Sequence, residues 1–373
     1  MSTEDQQARE AGQPARSGTG TGAGAGAVHG VARGTAPAPL SILDLAPVGA
    51  GHTPAEALVA TTELARSAEA WGYHRFWVAE HHGMPGVASS TPAVLLAHLG
   101  AHTSTLRLGS GGVMLPNHAP LAIAEQFGLL EALHPGRIDL GLGRAPGTDQ
   151  ATARALRRGL AEGADDFPQQ LAELTHFLDG DFPAGHPYAR LTAVPKGDGR
   201  PPLWLLGSSG FSARLAGQLG LPFAFAHHFS GNNTVPALDL YRSSFRPSEV
   251  LAEPYALIGV SAVAADGEAQ ARRLARSAGL GMLRLRLGKP GPIPTPEEAE
   301  SYPYSAAEAD FLDDWLSNVV LGSPGEVADG LEALRKRTGA DELMVTSHIH
   351  GHEARRRSYG LIAQAYGLTA QVA

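Results

Sequence analysis

Residues 75–83 read RFWVAEHHG and residues 137–147 read RIDLGLGRAPG. Each stretch begins with a short, largely apolar run and ends in polar residues or glycine. Helical patterns lie before both runs, since residues 54–71 and 120–133 place apolar side chains three to four positions apart. Strands that are apolar on both faces and alternate with helices are typical of parallel sheets covered on both sides. The two stretches therefore predict β–α units.

The same unit recurs along the chain. The predicted strands are Leu40–Ala46, Arg75–Ala79, Leu106–Leu115, Arg137–Leu142, Pro202–Leu206, Pro222–Ala226, Tyr255–Ala264 and Asp341–Thr346. The predicted helices are Pro54–Trp71, Thr91–His102, Pro120–Leu133, Asp165–Leu178, Phe211–Leu219, Pro236–Phe245, Glu268–Leu285, Pro324–Arg337 and Glu353–Gly367. Eight units of this kind predict an α/β TIM (β/α)8 barrel, with a doubly wound open sheet as the alternative.

Two segments fall outside this repeat. Residues 1–38 are rich in Gly, Ala, Ser and Thr and carry few large apolar side chains, so they bury too little surface to offset their ordering entropy. We predict a disordered N-terminal tail over residues 1–38 and one barrel domain over residues 39–373. The proline-rich stretch 289–304 is predicted as an inserted excursion before the last unit, either a lid or a disordered loop.

Composition excludes several classes of protein. With 37 acidic and 29 basic residues the net charge is −8, which disfavours a nucleic-acid partner. The chain has no Cys, which excludes disulfides and thiolate metal sites. We read no signal peptide and no apolar run of the roughly 18 residues that a membrane span needs. We therefore expect a cytoplasmic protein with no membrane partner.

The catalytic rim of a TIM barrel lies at the carboxyl ends of its strands, so the residues after each strand are the candidates. Residues 207–212, GSSGFS, follow the fifth strand and open a helix. Free N–H groups, the helix dipole and serine hydroxyls suit a phosphate there. Arg144, after the fourth strand, suits the same phosphate because a guanidinium grips two oxygens. The alternatives are an ordinary helix N-cap and a surface salt bridge.

Other site motifs are missing. The glycines near residue 143 lack the GxGxxG spacing, no Walker lysine is present, and GSSG is not the GxSxG elbow of hydrolases. Glu80-His81-His82 is not HExxH, because its two histidines are adjacent. A metal bound by His81 with His227 is conceivable, but we predict no metal site.

Several ordered stretches together resemble the bacterial luciferase-like, flavin-dependent monooxygenase superfamily. They are WGYHRFWVAEHHG (71–83), LRLGSGGVMLPNHAPLAIAEQFGLLEALHPGRIDLGLGRAPG (106–147), PLWLLGSSGFSARLAGQLGLPFAFAHHF (202–229) and GSPGEVADGLEALRKRTGADELMVTSH (322–348). The resemblance runs from Leu40 to the C-terminus. It is closest to oxidoreductases that use flavin mononucleotide (FMN), some of them in natural-product pathways.

The resemblance implies roles for particular residues. His81 matches a histidine that steadies the flavin and assists proton transfer, so it is our candidate catalytic residue. The implied cofactor-binding residues are Ala79, Glu80, Gly111, Gly112, Val113, Arg144, Ser208, Ser209, Gly210 and Ser212. Gly111-Gly112 lies where the family often has a non-prolyl cis peptide. Gly143 replaces the reactive Cys of luciferase, so light emission is not expected.

The implied reaction oxygenates a small organic substrate with reduced FMN and O2 through a flavin C4a-(hydro)peroxide. NAD(P)H would be the indirect electron source, through a separate flavin reductase or by reduction in place. Candidate substrate-facing residues are Asn117, His227 and Phe229, for which packing is the alternative role. The resemblance also implies a homodimer, with helix Thr91–His102 at the interface. A deazaflavin-dependent hydride-transfer enzyme and a non-catalytic flavin-binding protein remain alternatives.

Overall fold

A computed structural model describes residues 28–145, 149–156, 166–197 and 199–370. Its strands are β1 Leu40–Asp44, β2 Arg75–Val78, β3 Arg107–Ser110, β4 Val113–Met114, β5 Ile138–Gly143, β6 Leu203–Gly207, β7 Phe223–Phe225, β8 Ala256–Ala264, β9 Val320–Gly322 and β10 Glu342–Thr346. The main helices are α1 Pro54–Trp71, α2 Pro92–Gly100, α3 Pro120–Leu133, α4 Gln150–Leu156, α5 Phe167–Asp179, α6 Gly210–Leu219, α7 His227–Ser230, α8 Thr234–Ser244, α9 Glu268–Arg286, α10 Pro296–Ser301, α11 Ala306–Ser317, α12 Pro324–Thr338 and α13 His352–Tyr366.

The parallel strands close into a ring. The order is β10-β1-β2-β3-β5-β6-β7-β8, and β8 pairs again with β10. The register shows the closure, because Val345 of β10 pairs with Ile42 of β1 on one side and with Val260 of β8 on the other. The predicted TIM barrel is therefore confirmed. An open doubly wound sheet does not agree with this closure.

Local signals explain where the helices begin and end. Thr53 caps α1 with a complete capping box, and its partner is Glu56 three residues on. Gly72 then ends α1 with φ +90°, a left-handed conformation that glycine adopts without a Cβ clash. None of the described helices is long and apolar enough to cross a membrane.

The third predicted strand is interrupted. Instead of one strand over Leu106–Leu115, the chain forms β3, breaks at Gly111-Gly112, and continues as β4, which pairs with β5. The peptide bond between the two glycines is cis, as the resemblance implied.

The amino-terminal end of the barrel is filled by buried charges. Arg75 bonds Asp139 at 2.9 Å and Glu342 at 3.0 Å, and all three side chains are inaccessible to solvent. Its guanidinium also lies over the ring of Trp204 at 4.7 Å. Buried charges of this kind are tolerated because each is paired and hydrogen-bonded. This end of the barrel is therefore a packed base.

The segment before β1 covers this base. Val28 is fully buried and its carbonyl accepts a hydrogen bond from Arg75 Nη2. Gly30 N donates to the hydroxyl of Tyr255, and Thr35 N donates to Gly367 O. The predicted disordered tail over residues 1–38 therefore extends too far, because residues 28–38 pack on the barrel. Hydrogen bonds from its backbone order this segment, although its composition does not predict order. Residues 1–27 lie outside the described part.

The proline-rich excursion is packed on the barrel. Ile293 N donates to Val48 O, and Ala50 N donates to Ile293 O, which joins residues 289–304 to the loop after β1. Helix α10 lies within it and pairs with α9 through Arg273 and Glu297. The disordered-loop alternative does not agree with these contacts. The sequence interpretation also missed α11 and the three-residue strand β9, which is too short to give a periodic signal.

Candidate active site

A cavity of about 260 Å³ opens at the carboxyl ends of the barrel strands. Its floor consists of inward-facing strand residues, which are apolar: Leu43, Trp77, Leu206, Ala224, Leu257 and Met344. Most of these side chains belong to one buried cluster inside the barrel. An apolar floor below a polar rim is the usual form of a small-molecule site, and it keeps water away from the reacting group.

One side of the rim suits an anion. Ser208, Ser209, Ser212 and Arg144 all line the cavity. Ser209 is the N-cap of α6, and its hydroxyl does not cap its own helix. The N-terminal N–H groups and the dipole of α6 favour negative charge. The serine turn and Arg144, predicted from separate strands, therefore meet at one cavity.

Glycines keep the backbone close to the cavity. A Cβ on Gly111, which lines the cavity, would lie 2.6 Å from Leu43 Cδ1 and 3.3 Å from Trp77 Cβ. A Cβ on Gly143, also in the lining, would lie 2.7 Å from Met114 Sδ. Side chains at these positions would collide with Leu43, Trp77 and Met114, which themselves line the cavity.

Three histidines also line the cavity: His81 after β2, His228 after β7 and His348 after β10. Burial lowers the pKa of His81, although the charge of Glu80 opposes this shift. Burial and mutual repulsion also lower the pKa of His228 to about 4 and that of His348 to about 4. The three imidazoles are therefore neutral at pH 7.

Hydrogen bonds fix part of this wall. His228 Nδ1 lies 3.0 Å from Gly259 O. A carbonyl oxygen only accepts, so Nδ1 carries the proton and Nε2 keeps its lone pair. His81 Nδ1 is buried and has no hydrogen-bond partner among the described residues. His81 Nδ1 and His228 Nε2 can therefore form hydrogen bonds with a ligand.

Glu80 lies beneath the rim rather than in the cavity lining. Its Oε1 accepts from His82 Nε2 at 2.9 Å and from His118 Nε2 at 2.8 Å, and its Oε2 accepts from Met114 N at 3.1 Å. Burial alone would raise the pKa of Glu80, but these hydrogen bonds outweigh burial and hold it below its ordinary value. Glu80 therefore ties the loop after β2 to β4.

The structure places the predicted site residues in two groups. Those that line the cavity are Ala79, His81, Gly111, Arg144, Ser208, Ser209, Ser212 and Phe229. Those that do not are Glu80, Gly112, Val113, Asn117, Gly210 and His227. Asn117 is buried in a 3₁₀ turn and Val113 packs in the outer core. A substrate-facing role for Asn117 does not agree with this placement.

His227, which was predicted to face a substrate, is the histidine of its pair that does not line the cavity. Its Nδ1 lies 2.7 Å from Thr234 Oγ1, so the ring faces α8, while His228 turns into the cavity. Successive residues of a helical turn point about 100° apart, and the sequence does not say which one faces inward. His348 was also missed. The rule that candidates follow strands would have found it after β10.

The described residues contain no group of three or more His, Asp or Glu side chains arranged to hold a metal ion. An apolar cavity with a rim that suits an anion, at the carboxyl end of a TIM barrel, is the form expected of a small-molecule site.

Comparison with known proteins identifies the family. The family model described as luciferase-like monooxygenase matches residues 39–342, so the chain belongs to this family. The luciferase-like monooxygenase of Escherichia coli K12 is 48% identical over 86% of this chain and 95% of that protein. YvbT of Bacillus subtilis is 53% identical over 88% of this chain and 96% of that protein. The predicted enzyme class, a flavin-dependent monooxygenase, is confirmed.

One relative carries a more specific name. The N-acetyl-S-alkylcysteine monooxygenase of Bacillus subtilis is 49% identical over 52% of this chain and 59% of that protein.

Solved structures agree with the fold. Apo-MsnO8 is 39% identical, with a TM-score of 0.81 over 90% of this chain and 100% of that chain. The oxygenating constituent of 3,6-diketocamphane monooxygenase from Pseudomonas putida, in complex with FMN, has a TM-score of 0.66 at 18% identity over 88% of this chain and 98% of that chain. An F420-dependent secondary alcohol dehydrogenase has a TM-score of 0.64 at 15% identity over 88% and 99%.

Proposed function

We propose that this enzyme binds reduced FMN in the barrel cavity and uses O2 to oxygenate a small organic substrate. The observation that carries the proposal is that one cavity joins an anion-binding rim, an apolar floor and neutral histidines. When bound, FMN supplies the electrons that activate O2. NAD(P)H, through a separate flavin reductase or by reduction in place, is the proposed electron source.

The residues fit such a cofactor. The α6 N-terminus, Ser209 and Arg144 would hold the phosphate by charge-assisted hydrogen bonds. Gly111 brings bare backbone to the cavity beside Leu43 and Trp77, where the flat ring would lie. The unpartnered Nδ1 of His81 would satisfy a polar group of the ring or substrate, and its neutral imidazole would relay a proton.

The lining also bears on the substrate. Apart from Arg144 it contains no charged side chain, so it does not compensate a cationic substrate. Apolar side chains such as Met344 and Leu257 suit an alkyl group. N-acetyl-S-alkylcysteines, named for one relative, are therefore the first substrates to assay.

The test compares FMN with riboflavin, which has the same ring without phosphate. The wild-type protein should bind FMN at least tenfold more tightly, as measured by flavin fluorescence. Arg144→Ala should lose most of this preference, because charge-assisted hydrogen bonds contribute about 1.5–3 kcal/mol. Riboflavin binding should not change.

Arg214→Ala is the matched control, because Arg214 is an exposed arginine of α6 and is not in the cavity lining. Equal affinity of the wild-type protein for both flavins would contradict the phosphate site. Selective binding of the deazaflavin F420 would instead favour hydride transfer. Flavin binding without oxygenated product from any assayed substrate would favour a binding protein.

We further propose that the protein is a cytoplasmic homodimer.

A further inference from the structure

The aromatic side chain of Phe211 lies against the arginine of the anion-binding rim. The Arg144 guanidinium carbon is 4.3 Å from the centre of the Phe211 ring. This distance is within the range of a cation–π interaction. Phe211 is the second residue of α6, whose N-terminus forms the other half of the proposed phosphate site.

The environment of Phe211 argues against a packing role. Its side chain is 42% exposed, and it belongs to none of the buried hydrophobic clusters of the described residues. It does not line the cavity either. A large aromatic residue at such a position contributes little to the core, and its ring contacts the guanidinium of Arg144.

Arg144 needs an orienting partner. Among the described residues no carboxylate forms an ion pair with it, so no salt bridge fixes the direction of its guanidinium. A long side chain that is free in the unbound protein loses rotamer entropy when it closes on a ligand, which weakens binding. An aromatic face that holds the guanidinium in place removes part of that cost without neutralising its charge.

We propose that Phe211 is a positioning residue that orients Arg144 toward the phosphate of the bound flavin. This inference rests on the proposed function, since it acts through the phosphate end of the cofactor. Because Phe211 lies in the first turn of α6, its contact with Arg144 would bring the guanidinium and the N-terminus of the helix to the same anion.

The experiment measures dissociation constants for FMN and for riboflavin by equilibrium fluorescence titration of the purified full chain. Phe211→Leu should weaken FMN binding about two- to fivefold, the range expected for an exposed cation–π contact, and leave riboflavin binding unchanged. Phe211→Tyr, which keeps the aromatic face, should keep the wild-type preference for FMN. Leu219→Ala, at the exposed far end of α6, is the control and should change neither constant.

The outcomes separate this inference from the function on which it rests. If the wild-type protein prefers FMN and Phe211→Leu prefers it equally, the positioning role is wrong while the phosphate site stands. If the wild-type protein binds both flavins equally, the phosphate site itself is wrong. If Phe211→Leu weakens both flavins alike, Phe211 has a general structural effect and the inference is also overturned. Failure of Phe211→Tyr to keep the preference would contradict the aromatic contact.

Discussion

At the scale of single residues, His228 and His348 make the stability of the folded protein depend on pH. Burial and nearby histidines lower each pKa to about 4, compared with the usual 6.5. Between these values the unfolded chain binds more protons than the folded one. We therefore expect thermal stability to be complete above pH 7 and to fall as the pH is lowered toward 4.

Calorimetry between pH 7.5 and pH 5, combined with nitrogen NMR of the histidine rings, checks this expectation. His228→Asn and His348→Asn should each reduce the loss of Tm at pH 5. Both wild-type rings should stay neutral at pH 5.5, with the proton of His228 on Nδ1. Protonation of both rings near pH 6.5 would show that the wall is not neutral in the way the structure indicates.

The sequence predicted which residues line the cavity where the backbone alone determines their position. Ser209 and Arg144 follow strands whose carboxyl ends meet, so any closed barrel brings them to one rim. His227 and Asn117 could not be judged in this way, because side-chain direction within a short helical turn depends on packing. His228 became recognisable only once the structure placed it in the cavity lining.

At the level of elements, the break between β3 and β4 shapes the cavity. Gly111→Ala should weaken FMN binding about tenfold or more and destabilise the fold by about 1–3 kcal/mol, because the new Cβ lies 2.6 Å from Leu43 Cδ1. FMN titration and urea unfolding measure the two effects. Gly325→Ala, an exposed helix position with nothing within 4 Å of the added Cβ, is the control. Unchanged flavin affinity in Gly111→Ala would show that this backbone does not border the cofactor.

Element prediction succeeded where the sequence carries a repeated physical signal. The long helices α1 and α12 have capping boxes at Thr53 and Ser323 and end at glycines, so their bounds follow from the chain itself. Strand β9 has three residues and pairs only along the extended β8, so its existence depends on tertiary contact. The excursion 289–304 is likewise ordered by backbone hydrogen bonds to residues 48–50, which composition does not reveal.

At the level of the whole molecule, the barrel separates stability from chemistry. The cavity lies at the carboxyl ends of the strands, while the buried network around Arg75 fills the opposite end. Residues at the base can therefore change stability without touching the ligand. Conversely, substitutions of Ser209 and Phe211, which are exposed, should change the affinity for the cofactor at little cost in stability.

The segment 28–38 allows a decisive test of this separation. A chain that begins at residue 39 loses the buried Val28, the hydrogen bond from Arg75 to its carbonyl, and the bond from Gly30 N to Tyr255. Leaving a buried charged group short of a partner costs about 1–3 kcal/mol or more, so urea unfolding should show a loss of about 2–4 kcal/mol. FMN affinity should stay the same, because the cavity is at the other end. A chain that begins at residue 27 keeps all of these contacts and is the matched control. If both truncated chains are equally stable, residues 28–38 behave as the disordered tail that their composition predicts.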